Sequence, residues 1–217
     1  MPPPFPLPAE IVDSRLLAVL RAPTSDHLAE AARRLASCGI RCIEVTLTTP
    51  GALGVIEELA ARRPNQAIIG AGTVVTRQQA QDAIAAGATY LLSPLFAPEV
   101  VEAGIANGVP VIPGAATPSE IAAAWRSGCA AVKVFPAASL GGPAFIRSVL
   151  DPLPDIALVP TGGIGEQDVP DYLRAGAVAV GVGSPLTGSS LSSGDLGDLE
   201  QRARAFLDAT ERSRESR

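Results

Sequence analysis

The sequence predicts a single α/β domain built as a (β/α)8 barrel, and three observations carry that reading. A helical segment, a glycine and a β-rich run recur at ASCGIRCIEVT, IAAGATYLLS, IANGVPVIPG, WRSGCAAVKVF and LRAGAVAVGVG. Helix followed by strand at a period of roughly 20 residues means βα units and a parallel sheet. Eight strand-length runs can be counted, each followed by a helical pattern. No linker or shift in composition divides the 217 residues, so residues 1–217 are read as one domain. Eight alternations imply the barrel; a doubly wound open sheet is the alternative.

Each element has its own signal. The start MPPPFPLPAE lacks the basic and apolar regions of a secretory signal, so residues 1–8 are read as an extended proline-rich tail. Strands are expected at 16–20, 42–47, 67–70, 90–93, 109–112, 130–135, 157–160 and 177–182. Helix starts carry caps: Ser25 before DHLAE, and Thr76 with Gln79 and Thr117 with Glu120, the last two at capping-box spacing. Gly39, Gly87, Gly108, Gly128 and Gly176 fit the left-handed position that closes a helix. The last helix, about 196–209, places Leu199, Ala203 and Phe206 on one face, and residues 213–217 read as a frayed end.

Composition excludes several functions. Hydrophobic content of 47% and 21 glycines fit a compact α/β protein. A net charge of −5 with 4% aromatic residues makes a poor nucleic-acid binder. No apolar run reaches the length of a membrane span. Cys38, Cys42 and Cys129 form no CxxC pair, which suits buried free thiols in a reducing cytoplasm. The single histidine, His27, sits in the polar stretch SDHLAE, read as solvated; a catalytic triad or histidine-rich zinc site would need it among converging partners. GAGTVV superficially resembles a dinucleotide fingerprint but lacks the third glycine and sits mid-chain.

Lys133 is the only lysine; the other cations among the 17 Lys plus Arg are arginines. It lies in AAVKVFP, an apolar run that suits a buried parallel strand. Burial disfavours the charged ammonium, and a free amine is a nucleophile for carbonyl carbon, a part arginine cannot play. A lysine head snorkelling to a carboxylate or to water is the plainer reading. In IEVTLT, Glu44, Thr46 and Thr48 share one face and Ile43, Val45 and Leu47 the other. Lys133 likewise shares a face with Ala131 and Phe135, opposite Val132 and Val134. Apolar faces of barrel strands meet the helices, so Glu44 and Lys133 are expected to point inward from strands two and six. Glu44 could also serve only to neutralise Lys133.

Strand seven runs into VPTGGIGEQDV and strand eight into VGVGSPL. Phosphate sites in barrels lie in these two loops, where bare backbone N–H groups meet the anion. Gly162, Gly163, Gly183 and Ser184 are therefore the expected phosphate cradle.

Taken together, IEVTLTTP, IIGAGTV, LLSP, VIPGAATPSE, VKVFPA, VPTGGI and VGVGSPL resemble the 2-keto-3-deoxy-6-phosphogluconate aldolase family, in order from about Leu16 to Leu186. The resemblance implies a class I aldolase on a (β/α)8 barrel, usually a homotrimer, needing neither metal nor cofactor. It implies a Schiff base between Lys133 and the substrate's C2 ketone, with Glu44 as general acid and base. Thr73, Pro94, Phe135 and Thr161 match pocket-lining positions, and Gly162, Gly163 and Ser184 phosphate-binding ones. Many members carry arginine where this chain has Thr48, a further substrate-facing position. Arg21, at the end of strand one, resembles an arginine of other branches and could supply that cation; a strand-end salt bridge is the alternative. The galactonate-configured relatives also lack that arginine and share Pro50.

The expected reaction is cleavage of a phosphorylated keto-deoxy sugar acid, 2-keto-3-deoxy-6-phosphogluconate, to pyruvate and glyceraldehyde 3-phosphate. Alternatives are the 6-phosphogalactonate isomer, 4-hydroxy-2-oxoglutarate, or a non-catalytic phosphosugar-binding or assembly barrel. A decarboxylase or epimerase using Asp-x-Lys-x-x-Asp is disfavoured, since residues 134–137 offer no carboxylate after Lys133.

Overall fold

The computed structural model describes residues 5–215. In chain order the elements are α1 Ala9–Ser14, β1 Leu16–Leu20, α2 Leu28–Ser37, β2 Cys42–Thr46, α3 Ala52–Arg62 and β3 Ile68–Gly72. Then come α4 Arg77–Ala85, β4 Leu91–Leu92 and α5 Pro98–Ala106. Strand β5 is broken into Val111–Ile112 and Gly114–Ala115, and α6 Pro118–Arg126 follows. The rest are β6 Val132–Val134, α7 Gly142–Leu150, β7 Leu158–Pro160, α8 Val169–Arg174, β8 Val180–Val182, α9 Ser184–Thr187, α10 Ser190–Ser193 and α11 Leu199–Glu215.

All strand pairs are parallel, in the orders β5-β4-β3-β2-β1-β8 and β5-β6-β7. Pro113 is the break in β5: the first half pairs with β4 and the second with β6. The seam between β7 and β8 closes through the Val178 N–H donating to Leu158 at 3.0 Å and a bridge of Thr161 with Gly181. Pairing of β1 with both β2 and β8 makes this a closed (β/α)8 barrel and removes the open sheet.

Closure splits the core in two. Ile43, Val45, Val132, Val134 and Leu158 pack outward against the helices. Leu17, Cys42, Ile68, Tyr90, Leu92, Ile112, Ala131, Val159 and Ala179 fill the barrel interior. Strand alternation thus places side chains on the faces that the sequence expects. Gly70 makes room inside, since a Cβ there would overlap the Tyr90 ring. Gly70→Ala is expected to cost about 1–3 kcal/mol through overpacking; an unchanged urea midpoint would show that the ring can step aside.

Several expectations are corrected. The strands are shorter than expected at most boundaries, and β3 runs on to Gly72. AEIVDS forms α1, a helix that the sequence pattern does not announce; its Ile11 and the half-buried Leu7 pack into the interior core. Part of the expected tail, residues 1–4, lies outside the described residues. Ser25 does not cap with its side chain: α2 begins at Leu28, after His27, and the Leu28 N–H donates to the Ser25 carbonyl. His27 is half-buried against Gly194 rather than free in solvent. Cys38 is only half-buried, whereas burial pushes the Cys42 and Cys129 thiols up to about 12.

The chain end differs too. The last helix starts at Leu199 and continues to Glu215, so residues 213–215 are helical rather than frayed; 216–217 lie outside the described residues. Ser213 is buried and accepts a hydrogen bond from Arg15 at 3.1 Å, which ties the end of α11 to the barrel floor. Both capping boxes are present, at Thr76 with Gln79 and Thr117 with Glu120. The five helix-closing glycines all have positive φ. Among the described residues no helix is long and apolar enough to cross a membrane.

Candidate active site

The site is built from the upper ends of the strands. On β2, outward Ile43 and Val45 turn Glu44 into the barrel, where its residue exposure is 0%. On β6, Val132 and Val134 do the same for Lys133, which is 5% exposed. Lys133 Nζ stands 3.9 Å from Glu44 Oε1: an ion pair, but beyond hydrogen-bond reach. Among the described residues neither Glu44 oxygen has a hydrogen-bond partner, an expensive state for a buried carboxylate. Gly72, directly across from Thr46 on β3, leaves the space that the carboxylate fills; a Cβ there would overlap Oε1. The two glycines of GAG thus serve Tyr90 and Glu44, which a dinucleotide reading could not have found. Burial, with Cys42 and Glu44 nearby, holds the Tyr90 phenol well above its ordinary range.

Lys133 opens onto a cavity of about 390 Å³ lined by Val19, Arg21, Phe135, Thr161, Gly162, Gly163, Gly183, Ser184, Pro185 and Thr187. Its nitrogen lies 5.6 Å from the Phe135 ring centroid, within cation–π range. Gly162 and Gly163 have φ of 100° and 74°, left-handed conformations that leave the backbone bare. A Cβ on Gly163 would come within 2.7 Å of Ala138. Thr161 is buried at the cavity wall, its hydroxyl without a hydrogen-bond partner among the described residues. A larger hollow, about 620 Å³, lies at the opposite end among Val12, Asp13, Arg15 and Arg214, with no lysine, cysteine, serine or threonine among its described lining residues.

Eight expected positions therefore line or floor one cavity: Arg21, Lys133, Phe135, Thr161, Gly162, Gly163, Gly183 and Ser184. Glu44 sits beneath it, beside Lys133. Three others stand off. Thr48 is not on the inner face of the strand, because β2 ends at Thr46; it is exposed on the following turn, its hydroxyl 3.3 Å from that of Thr46. Thr73 follows β3 in a left-handed conformation, φ 59°, and accepts a hydrogen bond from Arg21 at 3.2 Å. That φ is strained for a β-branched residue, and such strain collects at functional sites. Pro94 is half-buried just past β4, with Gly114 packed against its carbonyl. Sequence reasoning misses Val19, Pro185 and Thr187; alternation from Leu17 through Val19 to Arg21 marks the first, while the other two carry no sequence signal.

A lone inward lysine beside a carboxylate, under two glycine loops at the C-terminal mouth of a (β/α)8 barrel, defines a carbonyl-condensing or carbonyl-cleaving barrel. A family model described as KDPG and KHG aldolase matches residues 8–202. The 2-dehydro-3-deoxy-phosphogluconate aldolase of Treponema pallidum is 39% identical over 85% of this chain and 88% of its own. A probable 2-dehydro-3-deoxy-6-phosphogalactonate aldolase of Rhizobium meliloti is 33% identical over 94% of each. The KDPG aldolase of Legionella pneumophila, solved with pyruvate captured as a covalent carbinolamine, superposes with a TM-score of 0.83 at 32% identity. That match covers 91% of this chain and 96% of the other. The chain belongs to the KDPG and KHG aldolase family.

Proposed function

We propose that the protein is a class I aldolase that cleaves 2-keto-3-deoxy-6-phosphogluconate to pyruvate and glyceraldehyde 3-phosphate. The observation that carries this reading is the Lys133 nitrogen, 3.9 Å from the buried Glu44 carboxylate, at the floor of the glycine-rimmed cavity.

Lys133 gives its ammonium proton to Glu44, and the free amine adds to the C2 ketone, its N–H proton passing to the new oxygen to give the carbinolamine. Glu44 delivers the proton with which the carbinolamine oxygen leaves as water, forming the protonated imine. Glu44, through a water, then takes the C4 hydroxyl proton. The C3–C4 bond breaks, its electrons pass to the imine nitrogen, and C4 departs as the aldehyde. The pyruvate enamine regains a proton at C3, and water hydrolyses the imine to pyruvate and free amine. Such acid–base help is typically worth ~10²–10⁴-fold. The backbone amides of Gly162, Gly163, Gly183 and Ser184 hold the phosphate, so remote binding energy sets C2 against the amine. Arg21, steadied by Thr73, supplies the cation at the mouth for the substrate's carboxylate or hydroxyls. Phe135 forms the apolar wall beside Lys133, while Pro94 and Thr48 lie outside the cavity lining.

The 6-phosphogalactonate isomer is the second reading, favoured by Thr48 in place of an arginine and by Pro50, which the galactonate-configured relatives share. Steady-state pyruvate release from both isomers and from 4-hydroxy-2-oxoglutarate, side by side, decides. The gluconate isomer is expected to show the highest kcat/KM. A higher value for the galactonate isomer would reassign the substrate, and release from none would leave a binding barrel. We further place the protein in the cytoplasm, where its free thiols stay reduced, as a homotrimer covering exposed Leu53, Leu95 or Ile105.

A further inference from the structure

We propose that Arg202 is a positioning residue for the phosphorylated end of the substrate: by clamping the turn that follows Gly183 and Ser184, it sets how tightly that end is held. The inference rests on the reading of those two residues as part of the phosphate cradle.

Arg202 lies in α11, far from the cavity in sequence and half-buried. Its Nε donates to the Leu186 carbonyl at 2.7 Å. Its Nη2 donates to the Thr187 carbonyl at 3.1 Å and to the Ser190 hydroxyl at 2.7 Å. Among the described residues the carboxylate paired with it is Asp198, at 3.8 Å and 81% exposed, so the guanidinium is committed to the turn.

The peptide units it grips are the ones that shape the cavity wall. The Leu186 and Thr187 N–H groups donate to the Gly183 carbonyl at 2.9 and 3.0 Å, and the Thr187 hydroxyl donates to it at 3.4 Å. Thr187 itself is buried and lines the cavity. Gly188, with φ 53° and ψ −135°, lets the chain leave beneath the guanidinium, whose Cζ would be 3.3 Å from a Cβ there.

A helix of 4 residues does not hold its own shape, because one or two hydrogen bonds do not repay the ordering of its backbone. The clamp must come from outside. Arginine presents several donors in a rigid fork, so it can bind two successive carbonyls and a hydroxyl together; lysine offers a single point charge. A positive charge at the helix exit also complements its dipole. Loosening this turn moves Gly183 and Ser184 but leaves Lys133 and Glu44, on other strands, in place.

The test is a split between substrates. Arg202→Gln is expected to raise KM for the phosphorylated substrate by roughly 10-fold, within the range that a small misplacement of positioning groups produces. KM and kcat for unphosphorylated 4-hydroxy-2-oxoglutarate and borohydride trapping with pyruvate should stay near wild-type values. Arg202→Lys should recover part of the loss. Ser190→Ala removes one acceptor while keeping the guanidinium, so it serves if the first variant does not fold; a smaller rise confined to the phosphorylated substrate is expected. Equal rises for both substrates, or a fall in kcat with KM unchanged, would overturn the role. A wild-type preference for the phosphorylated substrate that both variants leave intact removes Arg202 alone. Equal wild-type KM values for the two substrates remove the cradle reading and the role of Arg202 with it.

Discussion

Lys133→Arg is expected to reduce turnover by roughly 10⁴–10⁶-fold, the scale on which an enzyme loses a covalent nucleophile. Arginine keeps a cation next to Glu44, so the loss isolates nucleophilicity from charge. Wild-type protein treated with borohydride in the presence of pyruvate should carry one reduced pyruvate adduct, mapped to Lys133 by peptide mass. The assignment is unusually clean because the chain has no second lysine. A Lys133→Arg variant that cleaves at the normal rate, or a wild-type protein that gains no mass, would end the Schiff-base reading. Lys133→Met paired with Glu44→Leu should remove activity while leaving stability unchanged or raised by up to about 4 kcal/mol, since buried ion pairs seldom repay their desolvation.

Glu44→Gln is expected to lower kcat by roughly 10²–10⁴-fold while pyruvate can still be trapped on Lys133, more slowly. The amide fills the same space beside Gly72 but cannot shuttle a proton. Gly72→Ala should reproduce much of this loss without replacing either reactive residue, because the added methyl occupies the position of Oε1 and displaces the carboxylate. Single-turnover trapping read beside steady-state rates separates the outcomes. Unimpaired cleavage by Glu44→Gln would move the proton transfer to another group, and unimpaired cleavage by Gly72→Ala would show that the carboxylate works from a different rotamer.

Much of this site was legible because a barrel strand is short and alternates. Glu44 and Lys133 each sit between apolar residues that must face helices, so the parity of IEVTLT and AVKVF placed both side chains inside. The glycine pairs after β7 and β8 were legible for a similar reason: bare backbone at those loops has a chemical use. Boundaries were less so. Thr48 keeps the parity of Glu44, but β2 ends at Thr46, and parity means nothing once the chain turns. AEIVDS hid among prolines, since one buried isoleucine does not announce a helix. The extension of α11 depends on Ser213 meeting Arg15, a contact between residues 198 apart in the chain.

The order of residues alone sets the alternation of eight strands with helices, the inward parity of Glu44 and Lys133, and the loops able to receive an anion. These follow from local chemistry: periodicity, caps and glycine conformations. The 3.9 Å gap between amine and carboxylate, the hollows that Gly70 and Gly72 leave for Tyr90 and Glu44, and the reach of Arg202 to the far side of the cradle come instead from how the barrel packs. Those depend on strand register and barrel closure, which bring together groups that the chain separates by scores of residues and which no local pattern encodes.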